Sequence, residues 1–267
     1  MIKVAFIGNC QVDVYRRLIN AHESNLDVFS IEVWRLRPSD FELASNKLLD
    51  CDLIVTQPLS LYYGPLALEN LRGTHKNVLT IHNIYFKGYH PDCEYIGPMG
   101  KRIKSPIGDY HSKVTHQAFK KGLSLDKAID EILNFSTDRV RSIFDESADE
   151  LRRREIGIDV PVTNLVLSEC GWSYFFTFNH PTLELHSRYL EAIVKALGLK
   201  LSFNTISDPL LDHTHFPIYP SVVEALGLPL NAKEDITFTS PKSIGGHIYD
   251  LASFCSACYA SYAIILA

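Results

Sequence analysis

Residues 1–34, MIKVAFIGNCQVDVYRRLINAHESNLDVFSIEVW, decide the fold class. Ile2–Ile7 (IKVAFI) is an apolar run of strand length, and Gln11–His22 sets Val14, Leu18 and Ile19 on one helical face. Asp27–Trp34 (DVFSIEVW) is a second strand. Strand, helix and strand in so short a stretch make a β-α-β unit, whose strands run parallel because a helix carries the chain back across the sheet. The alternation goes on. Pro38-Ser39-Asp40 opens a helix over Phe41–Leu49, Asp52–Thr56 (DLIVT) is a strand, a helix lies near Leu66–Leu71, and Asn77–Ile81 (NVLTI) is a further strand. The predicted fold is α/β, a parallel sheet flanked by helices as a three-layer sandwich.

Beyond that block the pattern changes. Gly97–His111 (GPMGKRIKSPIGDYH) is a basic loop, followed by two helices, one capped by Ser124 and one by Ser136 or Thr137. Together they read as a helical insertion over about residues 112–160 of a single domain spanning 1–267. The arginines Arg152, Arg153 and Arg154 suit the dipole at the end of the second helix. Tyr174–Phe178 (YFFTF) is an aromatic strand that restores the alternation. Asn179-His180-Pro181-Thr182 then turns it, with Pro181 as first helical residue, into a helix over Leu183–Leu197 closed by Gly198. About Asp208 to Gly246 is rich in turns, and an apolar helix over residues 250–267 ends the chain.

The 267 residues are 46% hydrophobic and 21% charged, which excludes disordered and fibrous classes. A net charge of −5 has the wrong sign for coating a phosphate backbone, so no nucleic-acid partner is expected. Six cysteines in a chain that needs no disulfide staples, with no signal-peptide pattern before the first apolar run, predict a cytoplasmic protein with reduced thiols. Leu251–Ala267 (LASFCSACYASYAIILA) carries no charge but falls short of the ~20 residues a bilayer requires, so a packed terminal helix is expected. Peripheral attachment to a membrane or an assembly complex through that helix, and self-association, are the partner readings it leaves open.

Ligands of open parallel sheets sit beyond the carboxyl ends of the strands, and the polar residues predicted there are few. Cys10 stands where the first strand hands over to a helix, with Gly8 allowing a tight turn and helix N–H groups aimed at the thiol. That placement lowers a thiol pKa and prepares a nucleophile, although a small buried junction residue would look the same. Asn9, Gln11 and Gln57 are candidate oxyanion or substrate donors, joined by Asn179. His180, at the end of the aromatic strand, is a candidate base, and Asp92 is spaced to orient His90. Lys101, Arg102 and Lys104 could clamp a phosphorylated cofactor, with Tyr89 and His111 grouped beside them. Cys255 and Cys258 offer only half a zinc site, and His213 and His215 with Asp212 lack a helical His-Glu frame, so no metal is predicted.

The blocks IGNCQ (7–11), VTQP (55–58), NIYFKGYHPD (83–92), SPIGDYHS (105–112) and FFTFNHPT (175–182) resemble the WcbI-type capsular polysaccharide biosynthesis family, over most of the chain. The turn FPIYP (216–220) extends the match. The resemblance implies an SGNH- or flavodoxin-like sandwich and a coenzyme A-binding transferase that O-acetylates a sugar or polysaccharide precursor, with a cysteine where SGNH hydrolases carry serine. Carried over, it implies Cys10 as the reactive thiol and His90 and His180 as its candidate partners. His180 fits the SGNH placement of the base better, but no Asp stands three residues before it, so Asp92 or a carbonyl must orient it. The implied mechanism passes an acyl group from acetyl-CoA to Cys10 and then to a hydroxyl. A thiol-dependent esterase or deacetylase, and a non-catalytic coenzyme A or nucleotide-sugar binding protein, are the alternatives.

Overall fold

Val4–Ile7 are buried on both faces, so this strand takes the centre of a sheet and its neighbours must lie parallel to it. The computed structural model describes residues 1–21, 25–199, 206–209, 211–229 and 235–265. In chain order its elements are β1 (Ile2–Gly8), α1 (Gln11–Asn20), β2 (Leu26–Glu32), α2 (Phe41–Asn46), β3 (Leu53–Thr56), α3 (Leu68–Thr74) and β4 (Val78–Thr80). Next come β5 (Cys93–Tyr95), β6 (Tyr110–Ser112), α4 (Lys113–Lys120), α5 (Leu125–Leu133), α6 (Thr137–Arg154) and α7 (Thr163–Val166). The last are β7 (Phe175–Thr177), β8 (His180–Pro181), α8 (Leu183–Ala196), α9 (Pro220–Leu226), β9 (Thr237–Thr239), β10 (Ile248–Asp250) and α10 (Leu251–Ile265). The expected end of the first helix at His22 and the last two residues of the terminal helix lie outside the described residues.

The chain gathers into two compact units, each built from three segments. Met1–Ile84, Arg152–Ser168 and Leu183–Pro209 form the first; Tyr85–Leu151, Glu169–Thr182 and Leu210–Ala267 form the second. The first is the α/β sandwich. Its sheet runs β2-β1-β3-β4, all parallel. Side chains alternate across β1: Ala5 and Ile7 join Phe41, Ala44, Leu48 and Leu71 on one face, while Phe6 meets Tyr15 of α1 on the other. Tyr15 in turn packs edge-on against His186 and Tyr189 of α8. The β4 edge is finished by Asp159, whose carboxylate accepts the N–H and hydroxyl of Thr80, both at 2.7 Å.

The second unit holds the helices of the expected insertion, but they do not stand apart. Val114, Ile132, Phe135 and Val140 share one core with Phe216, Tyr219, Val222, Phe238, Phe254 and Tyr262. Ser124 caps α5 by accepting the Lys127 N–H, and Ser136 receives the Arg139 N–H at the start of α6. In α10, Phe254, Cys255, Cys258 and Tyr262 are buried, with Phe254 stacked on Phe238 at 3.7 Å. Among the described residues no helix is long and apolar enough to cross a membrane.

The aromatic strand is where the sequence reading fails. β7 does not join the parallel sheet; it pairs antiparallel with β8, with Phe175 opposite Pro181 and Thr177 opposite His180. Pro181 is therefore a strand residue and not the first helical one, while α8 starts at Leu183, where the sequence puts it. Phe175 is held instead by the rings of Phe86 and Tyr89, and Phe176 by a stacked His215 at 4.2 Å.

Candidate active site

At the carboxyl end of β1, four side-chain amides tie one loop together. Gln57 accepts the Asn9 N–H at 2.8 Å and donates to Asn9 Oδ1 at 3.1 Å; Asn9 Oδ1 also accepts the Gln11 N–H at 3.0 Å. Asn9 donates its amide to Asn83 Oδ1 at 2.8 Å, and Gln11 exchanges two bonds with the main chain of Ile84, at 2.7 and 3.0 Å. Gly8 is needed for this arrangement because a Cβ there would stand 2.5 Å from Gln57 Oε1. Gln57 is thus a brace for the loop, its amide nitrogen turned to Asn9 and Gln11 rather than outward. The network holds Cys10 as the N-cap of α1, half-buried.

The thiol is not lowered in pKa as its position predicts; it is raised. Loss of solvent is the largest cause and the Glu32 carboxylate adds to it, outweighing the N–H groups of Cys10 and Gln11 and the Arg35 guanidinium, which favour the thiolate. Glu32 ends β2 directly opposite Gly8 in the parallel register, which brings its charge beside the loop. Trp34 donates its indole N–H to Glu32 at 3.0 Å, and Arg35 lies 3.3 Å from the same carboxylate oxygen. Sequence reasoning missed this charged pair. The signal was the acidic Glu32 within DVFSIEVW, whose place beside the loop only the register reveals.

Gly8, Asn9, Cys10, Gln11 and Gln57 belong to the first unit; the other predicted site residues belong to the second. There Asp92 does not orient His90. Its carboxylate accepts the Val114 N–H and the Tyr219 hydroxyl, each at 2.8 Å, so it serves the N-terminus of α4. Burial pushes Asp92 up to about 6 against the bonds from Ser112, Val114 and Tyr219. Among the described residues neither ring nitrogen of the buried His90 reaches a hydrogen-bond partner, and loss of solvent lowers it to about 4, offset in part by the nearby Phe216 main chain. Nor does Asp92 serve His180, which faces the Tyr110 hydroxyl at 3.3 Å from each ring nitrogen and packs edge-on against His213. Burial, then His213 and His215, lower His180 to about 4. Asn179 bonds the hydroxyls of Tyr110 and Tyr95.

The expected phosphate clamp is mostly occupied by its own protein. Arg102 and Lys104 both reach Asp109, at 3.4 and 2.5 Å, and the Arg102 guanidinium lies 3.5 Å over the Tyr95 ring; Lys101 is exposed. His111 is buried with one ring nitrogen on the Tyr262 hydroxyl and the other on the Ile103 carbonyl, which leaves neither for a ligand. Tyr89 is a buried member of the Phe86–Phe144–Phe175 aromatic group. Concavities of about 470 and 440 Å³, one beside α5 and α6 and one beside α3, include none of the predicted site residues in their walls. Among the described residues no three His, Cys, Asp or Glu side chains are grouped to hold a metal ion.

A family model described as polysaccharide biosynthesis enzyme WcbI matches residues 3–202, from the first strand through the IGNCQ loop and the His180 turn. The chain belongs to this family. It is an enzyme family by that description, and the α/β sheet carrying Cys10 lies within the matched residues. A solved structure of WcbI, described as a novel polysaccharide biosynthesis enzyme and as native protein without a disulfide bond between coenzyme A and one of its cysteines, is similar in fold. The two share 20% identity and a TM-score of 0.73 over 99% of this chain and 96% of that one. No curated protein matches the chain significantly.

Proposed function

We propose that this WcbI family member is a coenzyme A-dependent acyltransferase, an O-acetyltransferase acting on a sugar or polysaccharide precursor, with Cys10 as the residue that takes up the acyl group. One observation carries the reading: a half-buried thiol at a strand–helix junction, beside main-chain N–H groups and set in a loop that an amide network holds in place. The Cys10 N–H is the proposed donor to the oxygen charge that builds as the thioester carbonyl is attacked, since the Gln11 N–H is already given to Asn9 Oδ1. Cys10 forms the new C–S bond, and its proton leaves on the departing sulfur. In the second step the acceptor oxygen takes the acyl carbon, the C–S bond to Cys10 breaks, and the hydroxyl proton returns to the thiol. A histidine is proposed as the carrier of that proton, the role that the resemblance implies for His180 or His90. For the coenzyme's phosphates, Lys101 is exposed, while Arg102 and Lys104 would exchange Asp109 for them. That the solved WcbI structure is described in terms of coenzyme A and a cysteine supports the pairing of this thiol with that cofactor.

Incubating the full chain with acetyl-CoA labelled in the acetyl group tests the reading. Label on the Cys10 peptide, discharged by an acceptor sugar and absent from Cys10→Ser, is the expected result; coenzyme A binding with no label and no loss of transfer in Cys10→Ala would overturn it. The raised thiol pKa favours a second reading, direct transfer from acetyl-CoA to the hydroxyl with Cys10 positioning the thioester. In that case Cys10→Ala keeps measurable transfer and no acyl-protein is trapped.

A further inference from the structure

The amide network meets the Cys10 loop from one side, through Gln57 beyond β3 and through Asn83 and Ile84 beyond β4. On the other side of β1 lies β2, an edge strand. Ile31 of β2 shares a core with Ala5 and Ile7, so Glu32, the next residue, turns to the opposite face, where α1 starts behind its Cys10 N-cap. Glu32 Oε2 is held twice, by the Trp34 indole N–H at 3.0 Å and by Arg35 Nε at 3.3 Å. Among the described residues Oε1 has no partner, although the side chain is only 12% exposed. Both charges of the pair act on the Cys10 thiol.

Trp34 is fixed but not covered. Its N–H is tied to Glu32 and the Arg35 guanidinium lies 4.8 Å from the centre of its ring, yet 53% of the residue is open to solvent. An aromatic surface already held in one orientation loses little freedom when a ligand lies on it. Beside it stand a carboxylate oxygen ready to accept and, on the exposed Arg35, terminal N–H groups ready to donate. A sugar hydroxyl does both, and a pyranose ring has a face of C–H groups to set against an indole. We infer that Trp34, Glu32 and Arg35 form the acceptor subsite of the Cys10 centre: the C–H face of a neutral pyranose lies on Trp34, one hydroxyl donates to Glu32 Oε1 and a second accepts from Arg35. This rests on the reading of Cys10 as the residue that takes up the acyl group, and it names the class of acceptor. The two charges sum to zero, which suits a neutral ring, whereas a carboxylated sugar would set a like charge against Glu32.

The test uses the full chain carrying Trp172→Phe, which leaves Trp34 as the sole tryptophan because the sequence holds two. Methyl glucopyranoside, methyl galactopyranoside and methyl mannopyranoside are titrated in turn, with methyl glucuronide as the charged control. A saturable change in Trp34 emission is expected with at least one neutral sugar in the millimolar range, and none with the glucuronide. Glu32→Ala in the same background should weaken that binding about 10-fold. Arg35→Gln, a change to an exposed side chain that keeps the chain foldable, should weaken it about 3- to 10-fold. Saturation-transfer NMR should show the C–H signals of the bound sugar lost in Trp34→Ala and kept in Trp34→Phe, whose ring remains. Emission that no neutral sugar moves, a glucuronide that binds as tightly, or binding that Arg35→Gln and a folded Glu32→Ala both leave unchanged overturns the inference. Sugar binding is read without acetyl-CoA: binding at Trp34 in a chain that never carries acetyl on Cys10 keeps the subsite and removes the proposed function, whereas acetyl passed from Cys10 to the sugar equally well by Trp34→Ala does the reverse.

Discussion

The Cys10 loop and the surroundings of His180 solve the same problem, holding one titratable side chain still, with opposite means. The thiol lies in the field of a full carboxylate and a full guanidinium, Glu32 and Arg35, pulling in opposite directions. The histidine faces a single neutral hydroxyl, that of Tyr110, and the groups that act on it through charge are two other histidines. A charged frame sets proton affinity and can be retuned by one substitution or by salt; neutral surroundings leave affinity mainly to burial. Both frames are built from residues brought together by strand register.

The largest break in the comparison concerns burial in the second unit. His90, neutral in the fold and lowered to about 4, loses the protein stability as pH falls from about 6.5 toward 4, because the unfolded chain takes the proton and the folded chain does not. The full loss is about 3 kcal/mol. Asp92, raised to about 6, has the opposite sign: the fold holds its proton there and gains as pH falls through the same window. Denaturant titrations between pH 4 and 7 should therefore show His90→Phe removing an acid loss and leaving a gain on acidification. Equal slopes in variant and wild type would refute the burial argument.

In the first unit, Gly8→Ala drives a methyl into Gln57 and should cost about 1–3 kcal/mol, read as a lower denaturation midpoint, with iodoacetamide reacting faster at Cys10 as the loop loosens. A smaller effect sharpens the contrast of charge with neutrality. Glu32→Gln removes a cause of the raised thiol pKa, so alkylation of Cys10 at pH 7.5 should speed up while its rate at high pH is unchanged; Arg35→Ala should slow it. Added salt should move the first pair of rates toward each other. The smallest change is expected from Asp109→Asn, which releases Arg102 and Lys104: stability within about 1 kcal/mol of wild type, and tighter coenzyme A binding in calorimetry if the loop meets its phosphates.

Much of this was legible along the chain. The unbroken apolar Val4–Ile7, the caps at Ser124 and Ser136, and Cys10 at the end of the first strand all follow from interactions within a few residues. The errors lie at longer range. Tyr174–Phe178 has the composition of a sheet strand but is captured by Phe86, Tyr89 and its own hairpin partner, and Asp92, two residues from His90, turns to Tyr219 and Val114 instead. Tyr95 and Tyr110, 15 residues apart, carry no sign in the sequence that their hydroxyls meet.

By itself, then, the sequence determined a parallel α/β unit, a thiol at its strand–helix junction, a glycine before it and a charge-free terminal helix, because propensity, periodicity and capping act between near neighbours. Only the tertiary structure decided which amides brace the loop, which charges face Cys10 and what stands behind His180. A buried polar group takes the partner that register and loss of water leave within reach, and an Asp, Gln or Tyr has several such partners in principle and one in the fold.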